Sequence, residues 1–293
     1  MRAYWKRTLW AYGLLLPAGV WVLVLMFYPL ARAIVDSFTN LNLLKPDALR
    51  WIGFDNYVTL WNDPLFWSAL KHSLLLTAWA VPLELGIGLM IALALKQPLP
   101  KIGFFRATIL FGWVISIVAQ VIFFKTLVNP HTGWISQWLQ LAGLAGWERN
   151  WFQDPQVSFA MVVLLHVWRN APFFGISILP VLLAIPKALY ESAYLDGATP
   201  LKQFCYVTLP QIRWIVVALV LGHIVFTFSD YTMVAVSTGG GPVYATEVIP
   251  TYLYKQAWSY HELGLAAATG TVMFLLLVVF AIVYIRHQLK KQS

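Results

Sequence analysis

Six long apolar stretches, separated by polar ones, organise this chain. They fall at Trp10–Ala31, His72–Leu95, Ala107–Phe124, Val157–Pro180, Trp214–Val236 and Leu263–Ile285. A helix needs about 20 residues to cross the hydrocarbon core of a bilayer, and each stretch reaches or approaches that length. The third is the shortest and extends to Val128 if its last apolar turn is included. The pattern predicts an all-α fold: one polytopic transmembrane domain over residues 1–293, a bundle of six spans.

Composition agrees. The chain is 60% hydrophobic and 11% charged, with a mean hydropathy of +0.69. Soluble domains carry about 25% charged residues. The net charge of +8 has a topological origin. With the N-terminus inside, segments 1–9, 96–106, 181–213 and 286–293 hold 12 Lys or Arg in 61 residues. Segments 32–71, 125–156 and 237–262 hold 7 in 98. Lys and Arg collect on the cytoplasmic side, so both termini are predicted to be cytoplasmic. No basic stripe runs along a polar face, which excludes nucleic acid as a partner. The single Cys205 excludes an internal disulfide framework. Fifteen Trp and thirteen Tyr suit aromatic belts at the two interfaces of a lipid bilayer. Arg2, Lys6 and Arg7 ahead of the first stretch imitate a signal peptide, but its apolar run exceeds the usual ~7–15 residues, so it reads as a retained helix.

The polar segments are not uniform. Phe54–Val58 and Leu65–Trp67, on the outside, are apolar enough to lie on the membrane surface. Thr238-Gly239-Gly240-Gly241-Pro242 stops the fifth span in a mobile or tightly turned connection. No phosphate-cradling loop, zinc motif or nucleophile elbow is present, so no catalytic or metal-ligating residues are assigned. On the inside, Pro186 breaks the fourth helix. Lys187–Leu195 then reads as a short helix, with Glu191 near its start. Gly197 ends it and Pro200 opens the next, giving a helix–Gly–helix elbow. Ala193, Gly197 and Ala198 are small enough for close contact with a partner; the bland alternative is a solvated connection.

The elbow also resembles a known pattern. Glu191-Ser192-Ala193, three residues, Gly197, nine residues, then Val207-x-Leu209-Pro210 is similar to the "EAA" loop of ATP-binding-cassette (ABC) importer permeases, in which the pattern is Glu-Ala-Ala, Gly, Ile-x-Leu-Pro at the same spacing. Pro29-Leu30, Gly53–Tyr57, Val81–Glu84, Asn129-Pro130-x-x-Gly133, Pro172–Phe174 and Ala184–Lys187 resemble the six-helix carbohydrate permeases. Thr238–Pro242 followed by Ala245-Thr246-Glu247 is similar to the maltose- and glycerol-phosphate-type subunit. The resemblance implies a type I importer permease in a bacterial inner membrane. It implies a second permease subunit, two ABC ATPase subunits that bind ATP and Mg, and an extracytoplasmic solute-binding protein. No cofactor is implied for this chain. The 181–213 loop would be the coupling segment, with Glu191, Ser192, Ala193, Asp196, Gly197, Leu209 and Pro210 at the ATPase.

Glu84, Arg169 and Asp230 are the charged residues inside the six stretches. Such groups cost at least ~2.5 kcal/mol each at a helix centre and normally face a cavity or a partner. His223, Phe226, Thr227 and Asp230 are spaced to share one helix face. A stripe of polar and aromatic groups suits a sugar, whose hydroxyls take hydrogen bonds and whose C–H faces stack on rings. The resemblance puts Asn170, Phe173, His223, Phe226, Thr227 and Asp230 along the substrate path, with Arg169 either joining them or pairing with Asp230 or Glu84. Glu84, beside Pro82, reads as structural. A sugar is the expected substrate, with a polyol or glycerol-phosphate compound as the alternative and an ion-driven secondary transporter as the remote one.

Overall fold

A computed structural model describes residues 15–98, 100–144 and 149–290, with side chains to position 288. Arg2, Lys6, Arg7 and the start of the first apolar stretch lie outside the described residues. The described residues are almost entirely helical, with one isolated antiparallel bridge between Thr39 and Trp51. Among the described residues five helices are long and apolar enough to cross a membrane, and a sharply bent pair makes a sixth if the two together count as one span. The chain divides into two compact units, residues 1–64 with 253–278, and residues 65–252 with 279–293.

The first unit holds α1 (Leu15–Asp36), α2 (Asp55–Asn62) and the start of the last helix, α12 (Leu263–Lys290). In α1 a wide π turn, Leu23–Phe27, precedes Pro29. A proline lacks the N–H that an α-turn needs and crowds the carbonyl four residues back, and the wider turn accommodates both. The segment after α1 is pinned by Asn56, which donates to the carbonyls of Ser37 (2.8 Å) and Thr39 (2.9 Å). Phe38, Trp51, Phe54 and Tyr57 pack their rings over this turn. Gly264, at the head of α12, donates to the Leu41 carbonyl at 2.9 Å, and a side chain there would collide with the Thr39 carbonyl.

The second unit carries the remaining spans. α3 (Pro64–Lys96) and α7 (Ser158–Ala184) meet at Gly88 and Gly175. A Cβ on Gly88 would overlap that of Phe174 and stand 2.8 Å from the Ala171 carbonyl. Small residues of this kind let membrane helices approach closely, where packing rather than hydrophobic burial holds them together. The third apolar stretch is not one straight span. α4 (Ile102–Val114) and α5 (Ile117–Leu127) bend by 94° at Ile115 and Ser116, both extended. No proline causes the break. Side chains hold it: Gln120 donates to the Gly112 and Ile115 carbonyls, and Arg169 donates to the Ile115 carbonyl at 2.9 Å. A short helix, α6 (Trp134–Leu141), follows.

The elbow forms as read, with α8 over Lys187–Leu195, although Glu191 falls at its middle rather than near its start. The fifth span is α9 (Pro200–Phe228), with a π turn at Phe204–Thr208 just ahead of Pro210. It ends at Ser229, and α10 (Thr232–Ser237) begins anew. The Asp230 carboxylate takes the Met233 N–H at 3.2 Å, so it caps α10 instead of continuing α9. The expectation that Asp230 shares a helical face with His223 and Thr227 is therefore corrected. The triple-glycine connection is tightly turned: buried Thr246 binds the Gly241 carbonyl at 2.7 Å and the Thr238 hydroxyl at 2.6 Å. The chain then enters α11 (Ile249–Tyr254), whose first N–H donates to Ser73 of α3 at 2.8 Å.

Candidate functional site

Two sites stand out in the second unit, one inside the membrane-spanning helices and one at the elbow. The first is a buried polar network that joins α3, α7 and α9. Glu84 is fully buried. One carboxylate oxygen accepts from Asn170 Nδ2 and the other lies against His223 Nδ1, each at 3.2 Å. A carboxylate only accepts, so it fixes the Asn170 amide with its NH2 inward and engages the Nδ1 edge of His223. His166, also fully buried, sits 3.3 Å from an Asp230 oxygen but off the line of a hydrogen bond. The buried Thr227 hydroxyl has no hydrogen-bond partner among the described residues.

Aromatic rings cover this polar floor. His223 packs on Phe174 at 4.4 Å, with Phe173 at 5.4 Å and Phe226 at 5.9 Å. Trp113, from the bent span, stacks on Phe173 at 5.2 Å. Phe226 is half exposed, and Phe173 and Trp113 are partly so, whereas Asn170, His223 and Thr227 lie behind them. The arrangement offers ring faces at the surface and hydrogen-bonding groups beneath.

Of the residues read from the sequence, Asn170, Phe173, His223 and Phe226 come together here. Thr227 lies on the same helix, and Asp230 stands 3.3 Å from His166 without a hydrogen bond to the network. Arg169 instead holds the break in the third span, and it forms neither of the ion pairs expected with Asp230 or Glu84. Glu84 proves to be the hub of the network. Trp113 was not foreseen; it is one aromatic among many in an apolar run, and no local signal marks it.

The elbow is built by backbone capping. Gly197 has φ +75°, in the left-handed region that suits glycine. Its N–H bonds the Tyr194 carbonyl and the Ala198 N–H bonds the Ala193 carbonyl, both at 2.9 Å, the two bonds of a Schellman motif. Thr199 caps α9 and Pro200 occupies its first turn. Glu191, Ser192, Asp196 and Gly197 are exposed and Ala193 is half-buried. So are large apolar groups exposed: Tyr194 (74%), Leu195 (84%) and Leu201 (72%). Leu209 and Pro210 lie further on, where the π turn gives way to regular helix.

A helical membrane bundle with a broken span, a buried polar network and a rigid, exposed elbow is the architecture of a transporter's membrane subunit. The family model described as "Binding-protein-dependent transport system inner membrane component" matches residues 84–292, and the chain belongs to that family. It is an ABC importer permease of the inner membrane. The chain is 30% identical to the sulfoquinovosyl glycerol transport system permease of Agrobacterium fabrum, over 93% of this chain and 88% of that one. It is 31% identical to the diacetylchitobiose uptake system permease of Streptomyces coelicolor, over 96% and 87%. It is 28% identical to the lactose transport system permease of Rhizobium radiobacter, over 95% and 92%. In fold it is similar to a chain of a bacterial ABC transporter involved in import of the acidic polysaccharide alginate, with TM-score 0.85 at 23% identity over all of both chains.

Proposed function

We propose that this subunit carries a neutral sugar, a mono- or disaccharide, that an extracytoplasmic solute-binding protein delivers. The observation that carries the reading is the cluster of Trp113, Phe173 and Phe226 rings over buried Asn170, His223 and Thr227. Ring faces suit the C–H faces of a pyranose, and the groups beneath suit its hydroxyls. The three relatives are named for sulfoquinovosyl glycerol, diacetylchitobiose and lactose, which supports a sugar as the solute. A neutral solute is favoured because two carboxylates, Glu84 and Asp230, lie in this region and would repel an anion.

On this reading the subunit pairs with a second permease, and two separate ATPase subunits hold ATP and Mg beneath them. Glu191, Ser192, Ala193, Asp196 and Gly197 meet the ATPase, with Tyr194, Leu195 and Leu201 as apolar anchors. Leu209 and Pro210 shape the wide turn behind the elbow. The test is ATP hydrolysis and uptake by the complete reconstituted importer, screened against neutral sugars, polyols, glycerol phosphate and a sulfonated glycoside. Stimulation by a neutral mono- or disaccharide is expected. Stimulation only by an anionic or acyclic solute would overturn the substrate assignment.

A further inference from the structure

The elbow is joined covalently to α7 and α9, and one side chain also ties it to α3. Tyr190, on α8 next to Glu191, turns its hydroxyl back toward the bundle while Tyr194 and Leu195 face outward. That oxygen lies 3.0 Å from Lys96 Nζ, on the last residue of α3, and 2.9 Å from Thr208 Oγ1, in the π turn of α9. An ammonium only donates, so the phenol accepts from Lys96, and its own proton is free to go to Thr208. The ammonium also sits 4.2 Å from the centre of the ring, within cation–π range. The ring itself packs on the core that Ile185, Leu182 and Ile212 form beneath the elbow.

We propose that Tyr190 is the positioning residue through which a push on the elbow reaches α3 as well as α7 and α9. This rests on the reading of the elbow as the ATPase contact. Lys96 and Tyr190 are 94 residues apart in the chain, so the backbone cannot carry this link. Lys96 ends the helix that bears Glu84, and Thr208 lies in the helix that bears His223. A phenol anchored to both makes the elbow and the two walls of the polar network one mechanical body. Without its hydroxyl, α3 and α9 can respond to the elbow separately.

The experiment uses the complete importer in proteoliposomes, with Tyr190→Phe, Lys96→Met and the double variant. The readout is sugar transported per ATP hydrolysed, which a merely structural loss of folded complex does not change. The hydroxyl's bonds are worth about 1 kcal/mol net, so Tyr190→Phe should retain the ATPases while transport per ATP falls about five-fold. Lys96→Met should lower the ratio similarly, and the double variant should fall no further, since both remove one contact. An unchanged ratio in Tyr190→Phe, or losses that multiply in the double variant, would overturn the proposal. If Tyr190→Phe fails to assemble, Lys96→Met decides. A Leu195→Asp importer that keeps its ATPases bound and coupled would instead overturn the elbow reading itself.

Discussion

Replacing Glu84 with alanine should destabilise this subunit more than its size suggests. The carboxylate is fully buried and engages two donors, Asn170 and His223, that are themselves buried. Deleting it leaves both without an acceptor. Each orphaned buried donor costs about 1–3 kcal/mol, so the two together cost about 2–6 kcal/mol. Glu84→Gln keeps the volume and one acceptor oxygen, so one donor is orphaned, at about 1–3 kcal/mol. The neighbouring Leu83 is 45% exposed, and Leu83→Ala should cost less than about 1 kcal/mol, as surface changes do. The assay is reversible unfolding of the purified subunit in detergent, with size-exclusion recovery of the folded fraction. The expected order of loss is Glu84→Ala, then Glu84→Gln, then Leu83→Ala. Pairing Glu84→Gln with His223→Phe should lose less than the sum of the singles, because the second change removes the orphan. Equal losses for Glu84→Ala and Leu83→Ala would refute the network, since they would mean that the carboxylate has no partners to lose.

Three further outcomes follow from the geometry. Gly88→Val should weaken the contact of α3 with α7 by at least about 1–3 kcal/mol, read as loss of folded subunit, because any Cβ there meets Phe174 and the Ala171 carbonyl. Gly197→Val should strain the elbow by about 1–2 kcal/mol through its positive φ, and the ATPases should co-purify less while the membrane helices stay folded by circular dichroism. Phe226→Ala should raise the sugar concentration for half-maximal uptake by up to about ten-fold, the equivalent of one stacking contact, with assembly unchanged.

The elbow was legible because its rules are local. Pro186, Gly197 and Pro200 each impose one backbone conformation, and α8 begins and ends at the residues expected from them. The polar network was only half legible. Asn170 and His223 were expected on the path, but their link to Glu84 joins residues 86 and 139 positions apart, which periodicity does not report. The bend in the third span left little trace in composition, since Ser116 and Gln120 are isolated polar residues in an otherwise apolar run. It is held by Gln120 within the run and by Arg169 from α7, which take the carbonyls that the break frees. Arg169 drew attention as a charge inside a membrane helix, correctly, but its Nη1 is occupied by this backbone carbonyl. Asp230 failed for the opposite reason. Helical spacing was extended past Ser229, where a carboxylate that can cap the next helix ends the first.

On the proposed function this permease moves a neutral sugar by work received from ATPases at its elbow. The most direct test is uptake of labelled sugar into proteoliposomes that hold the full complex, with sugar-loaded binding protein outside and ATP inside. Uptake should require all the subunits, follow ATP hydrolysis, and collapse with Leu195→Asp. Accumulation of the sugar by this subunit and its permease partner alone, driven by an ion gradient without ATPases, would contradict the account.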